Sequence, residues 1–206
     1  MGKYLESFKR EKEEVIFESA LKVIKEKGFH KARMSDIARE ARISYGLVYH
    51  YFRNKEDLFE AILKRWWEGL FRLMSELKGS QCDVPRKLRH IITYFFDTYQ
   101  HHPEMVTIFI TEISRSTSNL THSRLENIKK FMALTDAVIE EGQKKRMLRT
   151  DFKARYLTYI FLGALETFVT AMVFVDQKIR GDDQKKRIVE SILDVFLNGA
   201  KNQKQG

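Results

Sequence analysis

Apolar residues recur along this chain at three- and four-residue spacings and nowhere alternate with polar ones over the length of a strand. The pattern predicts an all-α protein. Ile16, Ala20, Val23 and Ile24 place a first helix at about Glu6–Lys27, stopped by Gly28 in a left-handed conformation. Ser35 and Ser44 are the expected N-caps of two short helices, with Asp36 at the positive end of the first. Asn54 opens a fourth helix with Glu56 and Asp57 in its first turn. Its stripe of Leu58, Ile62, Trp66, Leu70 and Leu77 carries it to about Lys78. After the break at Gly79–Asp83, helices are expected near Val84–Gln100, Pro103–Arg115, Leu120–Met147, Phe152–Gln177 and Gln184–Lys201. The two prolines, Pro85 and Pro103, fall where a first helical turn needs no backbone donor.

Residues 33–59 carry the most chemistry. Ile37, Ala38, Ala41, Ile43, Val48 and Phe52 can close a small core across two short helices, which leaves Tyr45, Tyr49, His50, Tyr51 and Lys55 for the outside. A rigidly held second helix with aromatic and basic side chains is the arrangement that enters a DNA major groove. Gly46 lets the backbone come close, and Tyr45 and Leu47 are placed to reach base edges. Tyr49, His50, Tyr51 and Lys55 suit phosphate, as do the hydroxyls and helix N-termini at Ser35 and Ser44, with Arg33 adjoining. Lys3, Lys9 and Arg10 offer an amino-terminal arm.

Charge sharpens this picture. The 206 residues carry a net +9, which fits a polyanionic partner but fits simple solubility as well. Residues 29–55 hold six basic and two acidic side chains, so the expected reading head is itself basic. Cys82 is the single cysteine and rules out an intrachain disulfide, which suits a reducing cytoplasm. The charged amino terminus lacks the apolar core of a signal peptide. Ile160–Val175 is the longest oily run; Glu166, Thr167 and Thr170 interrupt it, so a buried helix is expected there, and no membrane partner.

The motifs Ile37-Ala38, Ala41, Ser44-Tyr45-Gly46, Tyr49-His50-Tyr51-Phe52 and Asn54-Lys55-Glu56-Asp57-Leu58 resemble the DNA-binding domain of the TetR family of one-component transcriptional repressors. The resemblance covers residues 15–59. It implies that Tyr49 and Lys55 contact phosphate and that Tyr45 to Leu47 face bases. Arg42 departs from the family, which usually has glycine there, at a modest cost if the backbone is left-handed. The implied organisation is a helix-turn-helix domain over residues 1–55, connected by the helix at 55–78, and a helical ligand-binding and dimerisation domain over residues 56–206.

In the second part, Glu112–Ser116, Ile139–Gly142, Phe161–Thr167 and Asp176–Lys178 are similar to segments of the fatty-acid-responsive FadR-type members of that family. By this resemblance a long-chain acyl-CoA or fatty acid would lie among Phe95, Tyr99, Phe109, Ile113, Phe131, Met132, Tyr159 and Gly163, and its binding would release DNA. Read from the residues alone, such side chains more often fill a core. Gly163 facing Phe and Met would suit a tunnel, and Glu166 inside an oily helix must be paired, neutralised or set against a polar ligand group. Arg115 suits either a ligand phosphate or a salt bridge to Glu112. Ile188, Ile192, Val195, Phe196 and Gly199 form a stripe expected to pair with a second copy, giving a homodimer and a palindromic site on double-stranded DNA.

Other chemistry finds little support. Cys82 has no histidine partner in sequence, His101-His102 near Glu104 lacks a ligand pattern, and no Gly-rich phosphate loop or Gly-x-Ser-x-Gly occurs. No enzyme, metal or cofactor is expected. Two readings compete: a regulator of the same family tuned to cationic drugs or aromatic compounds through Glu166 and the tyrosines, and a helical lipid-binding protein that never touches DNA.

Overall fold

A computed structural model describes residues 2–108, 110 and 122–200 of the chain. Among the described residues there are nine helices and no strand: α1 (Gly2–Lys27), α2 (Met34–Glu40), α3 (Tyr45–Tyr51), α4 (Lys55–Gly79), α5 (Val84–His101), α6 (Pro103–Ile108), α7 (His122–Lys144), α8 (Ala154–Phe174) and α9 (Asp182–Ala200). The chain divides into two compact units, Met1–Gly69 and Leu70–Gly206, so that the division falls within α4.

The first unit is a small helical cluster. Ile16, Ala20, Val23 and Ile24 of α1 are buried together with Ile37, Ala38, Val48, Phe52, Leu58 and Ile62. Helices as short as α2 and α3 are marginal alone and hold here through tertiary packing and their ends. Gly28 ends α1 with φ of 78°, and its N–H donates to the Ile24 carbonyl at 2.8 Å. Arg42 between α2 and α3 has φ of 54°, a left-handed turn made without glycine. At the start of α4, Asn54 Oδ1 accepts from the Asp57 N–H at 2.7 Å, while Asp57 Oδ2 accepts from the Arg53 N–H at 3.0 Å. This reciprocal pair resembles a capping box shifted back by one residue.

In the second unit α5 is the central element, with Leu88, Ile91, Ile92 and Phe96 fully enclosed. It packs against α6, α7, α8 and α9. Asp83 caps it by accepting from the Arg86 N–H at 2.9 Å, and Pro85 sits in its first turn. Lys87 is only 2% exposed, and its ammonium donates to Glu141 at 2.7 Å; Glu141 also accepts from Lys145 at 2.7 Å. Those bonds, Lys145 first and then Lys87, hold the Glu141 carboxyl below its ordinary range. At Gly142 on α7 a Cβ would lie 2.6 Å from Leu148 Cδ1, so a side chain there would have to displace the buried Leu148.

α8 departs from the expected buried helix. Leu157, Phe161, Leu165, Val169 and Met172 are buried, but Tyr156, Tyr159, Ile160 and Phe174 are exposed on other faces. The helix is long and apolar enough to cross a membrane by composition, and one third of the residues in its most apolar window are buried. The expected stripe on α9 also divides: Ile192 and Phe196 point inward, with Phe196 and Phe161 ring centroids 5.1 Å apart, whereas Val195 is 74% exposed and Gly199 is exposed. An α-helix whose every face is apolar does not declare which face the subunit covers. The expected helix beyond Ile108 to Arg115 lies outside the described residues.

Candidate nucleic-acid interface

The reading helix α3 is fixed at both ends. Ser44 Oγ accepts from the Leu47 N–H at 3.2 Å, as an N-cap should, and Val48 is fully buried beneath the helix. Tyr45, Gly46, Tyr49 and His50 are exposed, while Leu47 and Tyr51 are half-buried. A Cβ at Gly46 would meet nothing within 4 Å, so the glycine leaves open surface rather than relieving a clash.

Tyr45 and Tyr49, one turn apart, form a tilted ring pair with 56° between the planes. Their ring centroids are 4.7 Å apart, and the two hydroxyls share a hydrogen bond at 3.1 Å. The hydrogen bond between the two hydroxyls, and then burial, raise the Tyr49 hydroxyl above its ordinary value.

α2 begins two residues earlier than expected. Met34 is buried and starts the helix, so Arg33 takes the cap position with no side-chain bond, and Ser35 is an exposed first-turn residue. Asp36 sits in that turn and pairs with Lys27 at 2.8 Å and Arg39 at 2.7 Å. The Lys27 bond is the main cause of its lowered carboxyl pKa.

Lys55 is placed differently from a free cation. Its ammonium donates to the Phe29 carbonyl at 2.6 Å and to the His30 carbonyl at 3.4 Å, and sits 4.5 Å from the Phe29 ring centroid. It ties the start of α4 to the turn between α1 and α2.

Phe8 was not anticipated at the site. With Lys9, His50 and Tyr51 it lines an open groove of about 310 Å³ between the start of α1 and the end of α3. An aromatic residue among charged ones near the amino terminus was its only sequence signal. Arg10 is exposed, and the side chain of Lys3 lies outside the described residues.

In the second unit Phe95 and Phe131 pack with ring centroids 5.6 Å apart, and Met132 is half-buried. Tyr99 is buried and its hydroxyl donates to the Gln177 carbonyl at 2.8 Å; burial raises its pKa. Three expected interior residues are not interior. Tyr159 and Glu166 are exposed, and a Cβ at half-buried Gly163 would meet nothing within 4 Å, so this glycine does not face Phe and Met. Phe109 and Ile113, and with them Glu112 and Arg115, lie outside the described residues. Among the described residues no group of three metal-capable side chains converges.

Comparison with known proteins agrees with the geometry of the first unit. Residues 16–62 match the family described as "Bacterial regulatory proteins, tetR family", and residues 68–198 match "YsiA-like protein, C-terminal region". The fatty acid metabolism regulator protein of Bacillus subtilis (strain 168) is 25% identical over 94% of this chain and 98% of its own length. The fatty acid degradation regulator FadR of Bacillus halodurans superposes with a TM-score of 0.75 at 25% identity, covering 93% of this chain and 97% of that one. FadR of Bacillus subtilis, solved in complex with stearoyl-CoA, gives a TM-score of 0.74 at 24% identity, over 90% of this chain and 97% of that one. With its all-helical fold, a capped reading helix and family matches over most of its length, the chain belongs to the TetR family and is a DNA-binding, helix-turn-helix transcriptional regulator.

Proposed function

We propose that this protein is a cytoplasmic repressor that binds a palindromic operator as a homodimer and leaves it when an apolar effector of the long-chain acyl-CoA or fatty-acid class binds the second unit. The observation that carries the DNA part is the capped, buried-backed α3 presenting Tyr45, Gly46, Tyr49 and His50 outward. Leu47 adds a half-buried apolar contact, Tyr51 adjoins the groove, and Arg33, Ser35 and Ser44 supply polar groups at two helix starts. Phosphate anchoring is assigned to Tyr49, His50 and Tyr51, with Lys55 acting mainly through the shape of the head.

The exposed apolar face of α8 supports the dimer. Tyr156, Ile160 and Phe174 are exposed on one helix and Val195 and Gly199 on the next. Exposed Glu166 and Thr167 interrupt this surface, which suits a partner protein better than lipid. Two copies would present two reading helices to successive half-sites.

The effector class rests on relatives: a fatty acid metabolism regulator over nearly the full chain and a stearoyl-CoA complex of similar fold. Aromatic packing of Phe95 on Phe131 beside Met132 is compatible with an acyl chain. The competing reading set Glu166 and the tyrosines against a cationic drug or aromatic compound; Glu166 is exposed on α8. Release requires only that the effector bind the DNA-incompetent state more tightly than the other.

Binding of the full chain to labelled duplex pools at rising salt tests the first part. The expected result is sequence-selective binding whose affinity falls steeply with salt. Addition of a long-chain acyl-CoA to the complex tests the second, and release by micromolar acyl-CoA but not by free CoA is expected. Binding without sequence preference, or no release by any acyl chain, would defeat the corresponding half.

A further inference from the structure

Two arginines close helices in a conformation that favours glycine. Arg42 after α2 and Arg146 after α7 both have φ of 54°. In each turn the next residue donates back into the helix, Ile43 N–H to the Ala38 carbonyl at 3.1 Å and Met147 N–H to the Gly142 carbonyl at 2.9 Å. These are Schellman closures, and a side chain at their left-handed position carries a steric cost that glycine escapes. The backbone alone gives no reason for arginine at either place.

Location separates the two. Arg146 lies in the second unit. Arg42 lies in the turn between α2 and α3, two residues before Ser44, whose Oγ caps α3. It is exposed, and among the described residues its side chain makes no ion pair or hydrogen bond. The carboxylates of α2 are already taken, Glu40 by Lys22 and Asp36 by Lys27 and Arg39. The Arg42 charge also opposes that of Lys22 on α1. This guanidinium is strained into place and left without an anion.

We propose that Arg42 donates to a phosphate of the DNA backbone at the rim of the groove that α3 enters, so that the turn gives up stability for affinity. The inference rests on the DNA reading above. In a helix-turn-helix the first helix crosses the backbone and the second sets its start against base edges, so the turn between them runs from backbone to groove. A planar guanidinium suits phosphate through two parallel N–H bonds. Such a contact adds affinity without reading sequence.

For the test, full-length wild type first selects a duplex from a randomised library. Affinities for that duplex and for an unrelated one are then measured against salt. Arg42→Gly is expected to melt about 2–4 °C higher as the left-handed cost is relieved. It is expected to bind both duplexes about 10-fold more weakly, with a salt slope shallower by about one per reading head. Arg42→Gln keeps the left-handed cost and loses the charge, so it should bind as weakly without the thermal gain. Arg146→Gly should show the thermal gain and bind DNA as wild type does.

Wild-type affinity and salt slope in Arg42→Gly and Arg42→Gln overturn the contact while the DNA reading stands. Weaker binding confined to the selected duplex overturns it too, because a phosphate contact is blind to sequence. An equal loss in Arg146→Gly would show a general effect of charge and also overturn it. A wild type that selects no duplex removes the DNA reading and this inference with it.

Discussion

Lys55 Nζ donates to the Phe29 carbonyl oxygen at 2.6 Å across 26 residues of sequence, and lies 4.5 Å from the centroid of the same residue's ring. A lysine that the motif marks for phosphate thus also fastens the turn before α2 to the start of α4. Removing it is expected to loosen the head and not only to delete a charge.

Lys55→Met should lower the unfolding free energy by about 1–2 kcal/mol, the scale for losing charge-assisted hydrogen bonds on a partly exposed group. Urea denaturation measures this. A pure phosphate anchor would leave stability unchanged and reduce only the salt dependence of DNA binding, by about one ion.

The buried pair on α5 and α7 predicts an asymmetry. Glu141→Leu strands the Lys87 ammonium in the interior and should cost about 3 kcal/mol. Lys87→Met leaves Glu141 with Lys145 and partial exposure, so it should cost clearly less. Equal losses in chemical denaturation would show that Lys87 reaches water or another partner.

Acid should expose the same pair. The Glu141 carboxyl titrates lower in the folded protein than its ordinary value of 4.5. Its contribution is therefore complete above that value and fades as pH falls through the lower, folded-state range. The stability of Glu141→Gln measured against pH should lack this component. A variant that tracks wild type across the acid limb would contradict the assignment.

Gly142→Ala sets a helix-propensity gain of about 1 kcal/mol against a Cβ only 2.6 Å from a buried leucine side chain. Crowding in a packed site commonly costs 1–3 kcal/mol, so a net loss is expected. Thermal melts of Gly142→Ala and of Gly142→Ala with Leu148→Ala separate the terms. The second substitution should remove the clash while adding its own cavity cost.

Ile160 is 61% exposed on α8. Ile160→Asp should shift the species seen in sedimentation toward the single-chain mass of 24.4 kDa and weaken operator binding with it. An unchanged mass would remove α8 from the dimer interface.

The head was legible because its signals are local. Ser44, Asn54 and Gly28 act on residues within one turn, and the small-core positions recur at helical spacing. Ser35 misled because both it and Arg33 are compatible with a helix start, and the choice was made by burial of Met34. The bond from Lys55 to Phe29 is non-local and leaves no mark in spacing. Along α8 the difficulty was different. Its apolar residues encircle the helix, so hydropathy could not say that Tyr159, Gly163 and Glu166 would be left off the covered face. Tyr45, Gly46, Tyr49 and His50 therefore lie exposed as the spacing expects, Tyr99 and Phe131 are buried, and Tyr159 and Glu166 are exposed instead of interior.

The oily outer side of α8 also bears on how much protein regulation requires. If a second copy must cover it, each chain gains part of its stability from association, and its melting temperature rises with concentration. Below the dimer dissociation constant, operator occupancy then climbs with the square of chain abundance, so a modest change in synthesis becomes a sharper change in repression.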